Sequence, residues 1–212
     1  MIVDHFLTSL GALPESQTRE SCLSFVAARG VTALQRDGGP EHVTASCFVF
    51  SPDFDRVLLC FHRKGGFWVQ FGGHIKPHDV SIAGAALREA REESGIAELT
   101  LHSESIADID RHDLQGGFSC DAHWDVGFVA IAATDVQITV SEESEDVRWF
   151  HCQSLPTDVP HGLRQRIDNL LDLIPTHLDS GLEAAIEPGF RARSADCSGT
   201  ATGPIALARC LW

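Results

Sequence analysis

The sequence predicts an α+β fold in which one mixed sheet lies between helices, an α/β/α sandwich. Three observations carry this. Short β-branched and aromatic runs are followed by a helix-period stretch, then by more such runs and a second helix. Hydrophobic residues make up 43% and charged residues 22%, an ordinary balance for a globular protein. The length, 212 residues, suffices for one well-buried domain with extensions rather than two.

Residues 1–38 read as helical, with Cys22, Leu23, Phe25 and Val26 near one stripe and Gly30 as a stop. A loop follows at Asp37-Gly38-Gly39-Pro40. HVTASCFVF (42–50) and RVLLCFH (56–62) are strands joined at Ser51-Pro52-Asp53 as a hairpin. FWVQF (67–71) is a short third strand, and residues 72–79 form a loop. A helix covers ALREAREESGI (86–96). Weaker strands are predicted at 99–102, 106–109 and 136–140, and clearer ones at 123–132 and 146–150. Residues 112–120 are loop-like. The last helix spans 161–173, with Leu163, Ile167, Leu170, Leu171 and Ile174 on one side and Pro175 as its stop. Beyond about 181 the composition turns to Gly, Ala, Ser and Thr, which predicts a weakly ordered tail. The chain thus divides into an N-terminal helical extension (1–41), a main domain (42–175) and a C-terminal tail (176–212).

The formal charge of −14 argues against a nucleic-acid polymer as partner, because phosphate-backbone affinity comes from Lys and Arg. It leaves room for one small phosphorylated ligand held by local cations or a metal. Seven cysteines, an odd number without metal-ligand spacing, read as reduced thiols and predict a cytoplasmic location. The start lacks a basic segment and a long apolar run, so no signal peptide is expected. No stretch is long and apolar enough for a membrane span.

The chemistry concentrates in ALREAREESGI. Glu89, Glu92 and Glu93 fall within an arc of about 100° on a helix. Ala83, Leu87 and Ala90 lie towards the opposite side, where they can pack on a sheet. Like charges at this spacing destabilise a helix by a few tenths of a kcal/mol each. Arg88 and Arg91 are not placed to neutralise all three. A solvated acidic face is one reading. The other is an all-oxygen site for a hard cation, Mg²⁺ or Mn²⁺, built from the carboxylates and a backbone carbonyl exposed at Gly72-Gly73.

The stretch GGHIKPHDVSIAGAALREAREESGI (72–96) resembles the signature of the Nudix hydrolases. That pattern runs G, five residues, E, seven residues, then R-E-U-x-E-E-x-G-U, where U is bulky and aliphatic. Residues 88–96 match closely, with Ala90 smaller than usual. The first half departs. Asp79 stands where the first Glu belongs, and one extra residue separates it from Arg88. Phe71 replaces the proline usual before the two glycines. The resemblance covers roughly residues 42–174 and implies a Nudix-type mixed sheet between helices.

The resemblance further implies a metal-dependent pyrophosphohydrolase, in which water attacks phosphorus in a nucleoside diphosphate linked to another moiety. By carry-over, Glu92, Glu93 and the Gly73 carbonyl hold Mg²⁺ or Mn²⁺, and Glu89 binds metal or accepts the water proton. Arg88 positions the glutamates. A further acidic ligand is expected from Glu142, Glu143 or Glu145, with Glu143 favoured. Arg63 and Lys64 are candidates for phosphate contacts, and Trp68 for stacking a base or packing in the core. His123 and Asp125 point the same way, towards a cleft or as a structural pair. His74 is expected to support the glycine loop. A homodimer is plausible by family analogy. Alternatives are a diphosphate isomerase, whose extra Cys and Glu motifs are not found, and a non-catalytic nucleotide-ligand sensor, for which neither end offers a basic winged helix.

Overall fold

The computed structural model of the chain describes residues 2–114, 120–141 and 144–182, with side chains through Leu173. Two helices, α1 (Ile2–Gly11) and α2 (Gln17–Arg29), and a 3-10 turn at Gly30–Leu34 lead into the sheet. Strands β1 (Glu41–Phe50), β2 (Arg56–His62), β3 (Phe67–Val69) and β4 (Phe71–His74) precede helix α3 (Ile82–Ser94). Strands β5 (Thr100–Leu101), β6 (Asp108–Asp113), β7 (Ala122–Ile131) and β8 (Ser144–His151) precede α4 (Leu163–Leu182).

β1 is central. It runs parallel to β7 along its whole length, from Glu41 opposite Ala122 to Phe50 opposite Ile131. It is antiparallel to β2 at its far end and to β4 over Thr44–Cys47. The remaining pairings, β2 with β3 and β8 and β7 with β5 and β6, are all antiparallel. A parallel pair at the centre needs both faces covered, and β1 is buried from His42 to Phe50. Alternation along the strand assigns its side chains to two cores. Val43, Ala45, Cys47 and Val49 join Phe71, Val126 and Phe128 on one face, under α3 and the N-terminal helices. Phe6, Leu10, Cys22 and Val26 from α1 and α2 belong to that core, so these helices bury apolar area with the sheet. On the opposite face Phe48, Phe50, Leu59 and Val129 pack with Leu163, Ile167 and Leu170 of α4.

Helix α3 is fixed at both ends. Ser81 Oγ accepts from the Gly84 N–H at 2.9 Å as N-cap. Gly95 ends the helix with φ +71° and donates to the Arg91 carbonyl at 2.9 Å. That left-handed conformation favours glycine. Ile82, Ala83, Ala86 and Ala90 face the sheet, and their small side chains let the helix sit close.

Several sequence expectations need correction. The third strand breaks at Gln70, and the predicted glycine loop is largely strand: β4 carries Gly72 and Gly73 into register with Ser46 and Ala45. Glycine permits this closeness, since a Cβ on Gly72 would lie 2.8 Å from Ser46 Cβ. The strand expected at 106–109 lies at Asp108–Asp113, where its charged side chains find partners. Residues 136–140 form no strand. Val136 and Ile138 pack on the first core, and the Thr139 N–H donates to the Ser94 carbonyl at 2.9 Å. Helix α4 runs through Pro175 to Leu182, past the expected stop and into the predicted tail. A proline removes one helix hydrogen bond, a local loss that the flanking turns span here. The remainder of the predicted tail lies outside the described residues.

No helix among the described residues is long and apolar enough to cross a membrane. The five described cysteines, Cys22, Cys47, Cys60, Cys120 and Cys152, are free. Burial pushes the Cys22, Cys47 and Cys60 thiols up to about 12.

Candidate active site

β4 lies over α3, and this contact builds the site. A Cβ on Gly73 would come within 2.8 Å of the Glu89 Cδ, so the strand backbone rests directly on that carboxylate. Glu93, one helical turn on, accepts from the Gly72 N–H at 3.0 Å. Both glutamates are buried, whereas Glu92 reaches outward with its side chain 49% exposed. The three carboxylates are therefore not one solvated face: two lie beneath a strand.

Arg88 ties them to the preceding loop. Its Nε donates to Asp79 Oδ1 at 2.9 Å and its Nη2 to Asp79 Oδ2 at 2.7 Å, a two-pronged pairing. Nη1 bridges Glu89 Oε1 at 2.6 Å and Glu92 Oε2 at 3.2 Å, and Nη2 also donates to the His74 carbonyl at 3.1 Å. Asp79 is thus engaged by Arg88 and by the Lys76 N–H at 2.7 Å. Burial raises the Asp79 carboxyl, but the Arg88 and Lys76 hydrogen bonds outweigh it and hold it below the usual aspartate range.

Lys76 is a site neighbour that the sequence did not reveal. Its Nζ lies 2.9 Å from Glu92 Oε2 and 4.0 Å from Glu89 Oε1, and its hydrogen bond is the main reason the Glu92 carboxyl is lowered. Arg88 and Lys76 thus pair with two of the three glutamates, Glu89 and Glu92. Arg91 turns away to the Leu99 carbonyl, at 2.7 Å.

The other candidates lie elsewhere. Trp68 is buried in the second core, against the rings of Phe61 and Phe150 at centroid distances of 5.3 and 4.8 Å. The Arg148 guanidinium lies 5.6 Å from its centroid, so the indole packs rather than offering a free face to a base. Of its two expected roles, packing in the core is the one these contacts support. Arg63 and Lys64 are exposed in the turn between β2 and β3, and Arg63 donates to the Ser144 carbonyl at 3.3 Å. Glu142 and Glu143 lie outside the described residues. Glu145 is exposed on β8.

The sheet face towards α4 carries two polar groups that the sequence only hinted at. Asp125 accepts from Thr44, Ser46 and Gln70 at 3.0, 2.8 and 3.2 Å and pairs with Arg166 of α4 at 2.7 Å. Arg166 also pairs with Asp108. Asp125 is therefore a satisfied structural carboxylate. Beside it, His42, His74, His112 and His123 gather, with His42 and His123 opposite each other on β1 and β7. Burial pushes His74 down to about 4 and His123 to about 3. Potential ligand atoms of His42, His123 and Cys120 all lie within 4.8 Å of one another. The three glutamates, with Arg88 between two of them, are not gathered that tightly.

The donor set on α3 nevertheless fits a hard divalent cation. Carboxylate oxygens and the backbone at Gly73 are the ligand types that such ions take, and the Gly72 N–H holds Glu93 in place.

A family model described as the NUDIX domain matches residues 40–173. A NUDIX-family hydrolase from Clostridium perfringens superposes with a TM-score of 0.53 at 22% identity, covering 63% of this chain and 97% of its own. A C. elegans Ap4A hydrolase gives 0.52 at 15% identity, with 63% and 98% covered. An E. coli dihydroneopterin triphosphate pyrophosphohydrolase gives 0.50 at 17% identity, with 61% and 95% covered. None of the curated proteins compared with the chain matches it. At these identities the solved structures speak for the fold alone, while the family model spans most of the chain and includes the glutamate helix and the strand above it: the chain belongs to the Nudix hydrolase family.

Proposed function

We propose that this chain is a metal-dependent pyrophosphohydrolase that cleaves a nucleoside diphosphate linked to another moiety. The observation that carries the reading is the packing of β4 on α3, which brings Glu89, Glu93 and the Gly73 backbone together beside Arg88 and Glu92. Glu89, Glu92, Glu93 and the Gly73 carbonyl would hold Mg²⁺ or Mn²⁺, joined by Glu143 from the segment before β8. Bound there, the ion would supply positive charge to offset that of the diphosphate and would make a water more acidic. Glu89 is the candidate to accept the proton of the attacking water. The water oxygen bonds to phosphorus, the bridging P–O bond breaks, and the leaving phosphate carries the electron pair away. Arg88, fixed by Asp79, keeps Glu89 and Glu92 oriented. Arg63 and Lys64 are the proposed contacts for the outer phosphates.

The fold does not choose the substrate. The two relatives named for their substrates differ in them and share this architecture. The test is chromatographic separation of the two phosphorylated products from a panel with Mg²⁺ and then Mn²⁺: nucleoside triphosphates, oxidised nucleotides, dinucleoside polyphosphates, ADP-ribose and nucleotide sugars. Turnover of at least one compound, abolished by chelation, is the expected result. The same ions are expected to raise the melting temperature by binding the native state. Inactivity across the panel, with no metal-dependent shift, would favour a non-catalytic sensor.

Gly73→Ala gives a local check. The added Cβ would meet Glu89 at the carboxylate, the movable end of a side chain. The fold should therefore survive while Glu89 is displaced, and kcat/KM is expected to fall about tenfold or more, equivalent to about 1.4 kcal/mol of lost transition-state stabilisation. Unchanged kinetics would remove Glu89 and Gly73 from the site.

A further inference from the structure

We propose a second metal site, distinct from the glutamates, in which His42, Cys120 and His123 bind a borderline-soft divalent ion of the Zn²⁺ class. His42 and His123 lie opposite each other on β1 and β7, on the α4 face of the sheet, and Gly73 rests on Glu89 across the other face. Cys120 lies two residues before β7, and its Sγ lies 3.3 Å from His123 Nε2. The potential ligand atoms of the three residues lie within 4.8 Å of one another, and tetrahedral zinc needs about 3.3–3.8 Å between ligands. A shift of about an ångström closes the site.

The second observation is His42 itself. It is 1% exposed, and neither ring nitrogen has a hydrogen-bond partner in the structure. Buried polar atoms are nearly always satisfied, and an imidazole with both nitrogens unpaired is a strong departure. A metal bond would satisfy one of the two nitrogens. The surroundings support the same end. His74, its ring 5.0 Å from that of His42, is the nearest candidate for a fourth ligand. Imidazole and thiolate favour zinc-like ions, whereas magnesium takes oxygen. The molecule thus sorts two ions by ligand softness, one on each face of the sheet.

The test uses the full chain, stripped with a chelator and titrated with Co²⁺ as a spectroscopic stand-in for Zn²⁺. The expected result, with excess Mg²⁺ present to fill the glutamate site, is tetrahedral visible bands and a sulfur-to-cobalt charge-transfer band that saturate at one equivalent and are lost on adding Zn²⁺. Cys120→Ser, at a partly exposed position, should remove the charge-transfer band, and His123→Gln should weaken Zn²⁺ binding about tenfold or more. Glu93→Gln should leave both signals intact. Near-ultraviolet circular dichroism checks that each variant is folded. A charge-transfer band that survives Cys120→Ser, cobalt signals lost in Glu93→Gln, or no stoichiometric binding would each overturn the proposal.

Discussion

Glu93→Gln is expected to abolish metal-dependent hydrolysis while the fold stays intact. The carboxylate is 5% exposed and accepts the Gly72 N–H at 3.0 Å. Glutamine has the same shape and keeps an oxygen in that position, so the anchor to β4 survives. What goes is a negative charge close to Glu89 and Glu92. Without metal, losing one of three neighbouring charges relieves repulsion, so the melting temperature of the metal-free variant should be unchanged or higher. With metal, the variant should show a smaller stabilisation, because a charged ligand has become a neutral one. A catalytic ion contributes several kcal/mol of transition-state charge stabilisation, so its loss corresponds to a drop in kcat/KM of about a thousandfold or more. Activity therefore falls while the metal-free melting temperature does not, which separates a site residue from a structural one. Near-normal turnover would sink the assignment of the glutamates. A lower melting temperature in the metal-free variant would show that Glu93 serves the fold.

The sequence made α3 legible because its information is local. A small-residue face and three acids within one arc sit within one short stretch, whereas the start at Ile82 under the Ser81 cap was not read. The central strands were legible for a similar reason: β-branched and aromatic runs at β1, β2 and β7 have one clear periodicity. The unread features depend on which strands meet. Nothing in one sequence says that β1 and β7 pair in parallel, so the apposition of His42 with His123, and of Thr44 with Asp125, could not be read. Gly72 and Gly73 looked like a loop because glycine disfavours strands in isolation, and only the close fit against β1 makes them strand residues. Lys76 looked like an ordinary loop cation because its return to Glu92 depends on how the loop folds over α3. Asp108 and Asp110 weakened the prediction of β6, since their partner Arg166 lies far along the chain on α4.

Arg166→Met is expected to destabilise the fold far more than any substitution among the glutamates. The guanidinium holds Asp125 at 2.7 Å and Asp108 at 2.6 Å, lies 3.7 Å from Asp110, and sits 5.1 Å from the Phe48 ring centroid. It is the charged link between α4 and the central strands. Burial raises the Asp125 carboxyl, yet the Arg166 charge and the hydrogen bonds it receives hold it below the usual range. Asp108 is raised, burial again being the largest cause. Methionine replaces much of the packing of the arginine stem but leaves both carboxylates without their counter-charge. Breaking a buried ion pair from one side costs about 3–5 kcal/mol, a large part of a total stability of about 5–15 kcal/mol. For a chain of this size that is a fall in Tm of about 6–20 °C. The pH dependence gives the sign. In the variant, the uncompensated carboxylates have folded pKa values above their unfolded ones, so their contribution favours the fold at low pH and is lost as pH rises. In the parent, Asp125 has a lowered folded pKa, and its contribution fades as pH falls. The variant's effect narrows the stability gap between pH 7 and pH 5, which urea unfolding should show, while the parent's enters only below the unfolded aspartate value of 3.8. A second substitution, Asp125→Asn in the Arg166→Met background, should recover part of the loss, because Thr44, Ser46 and Gln70 can still bond a neutral side chain. A loss below about 1 kcal/mol at pH 7, the level of an exposed pair, would show that this network is screened by solvent and does not anchor α4 to the sheet.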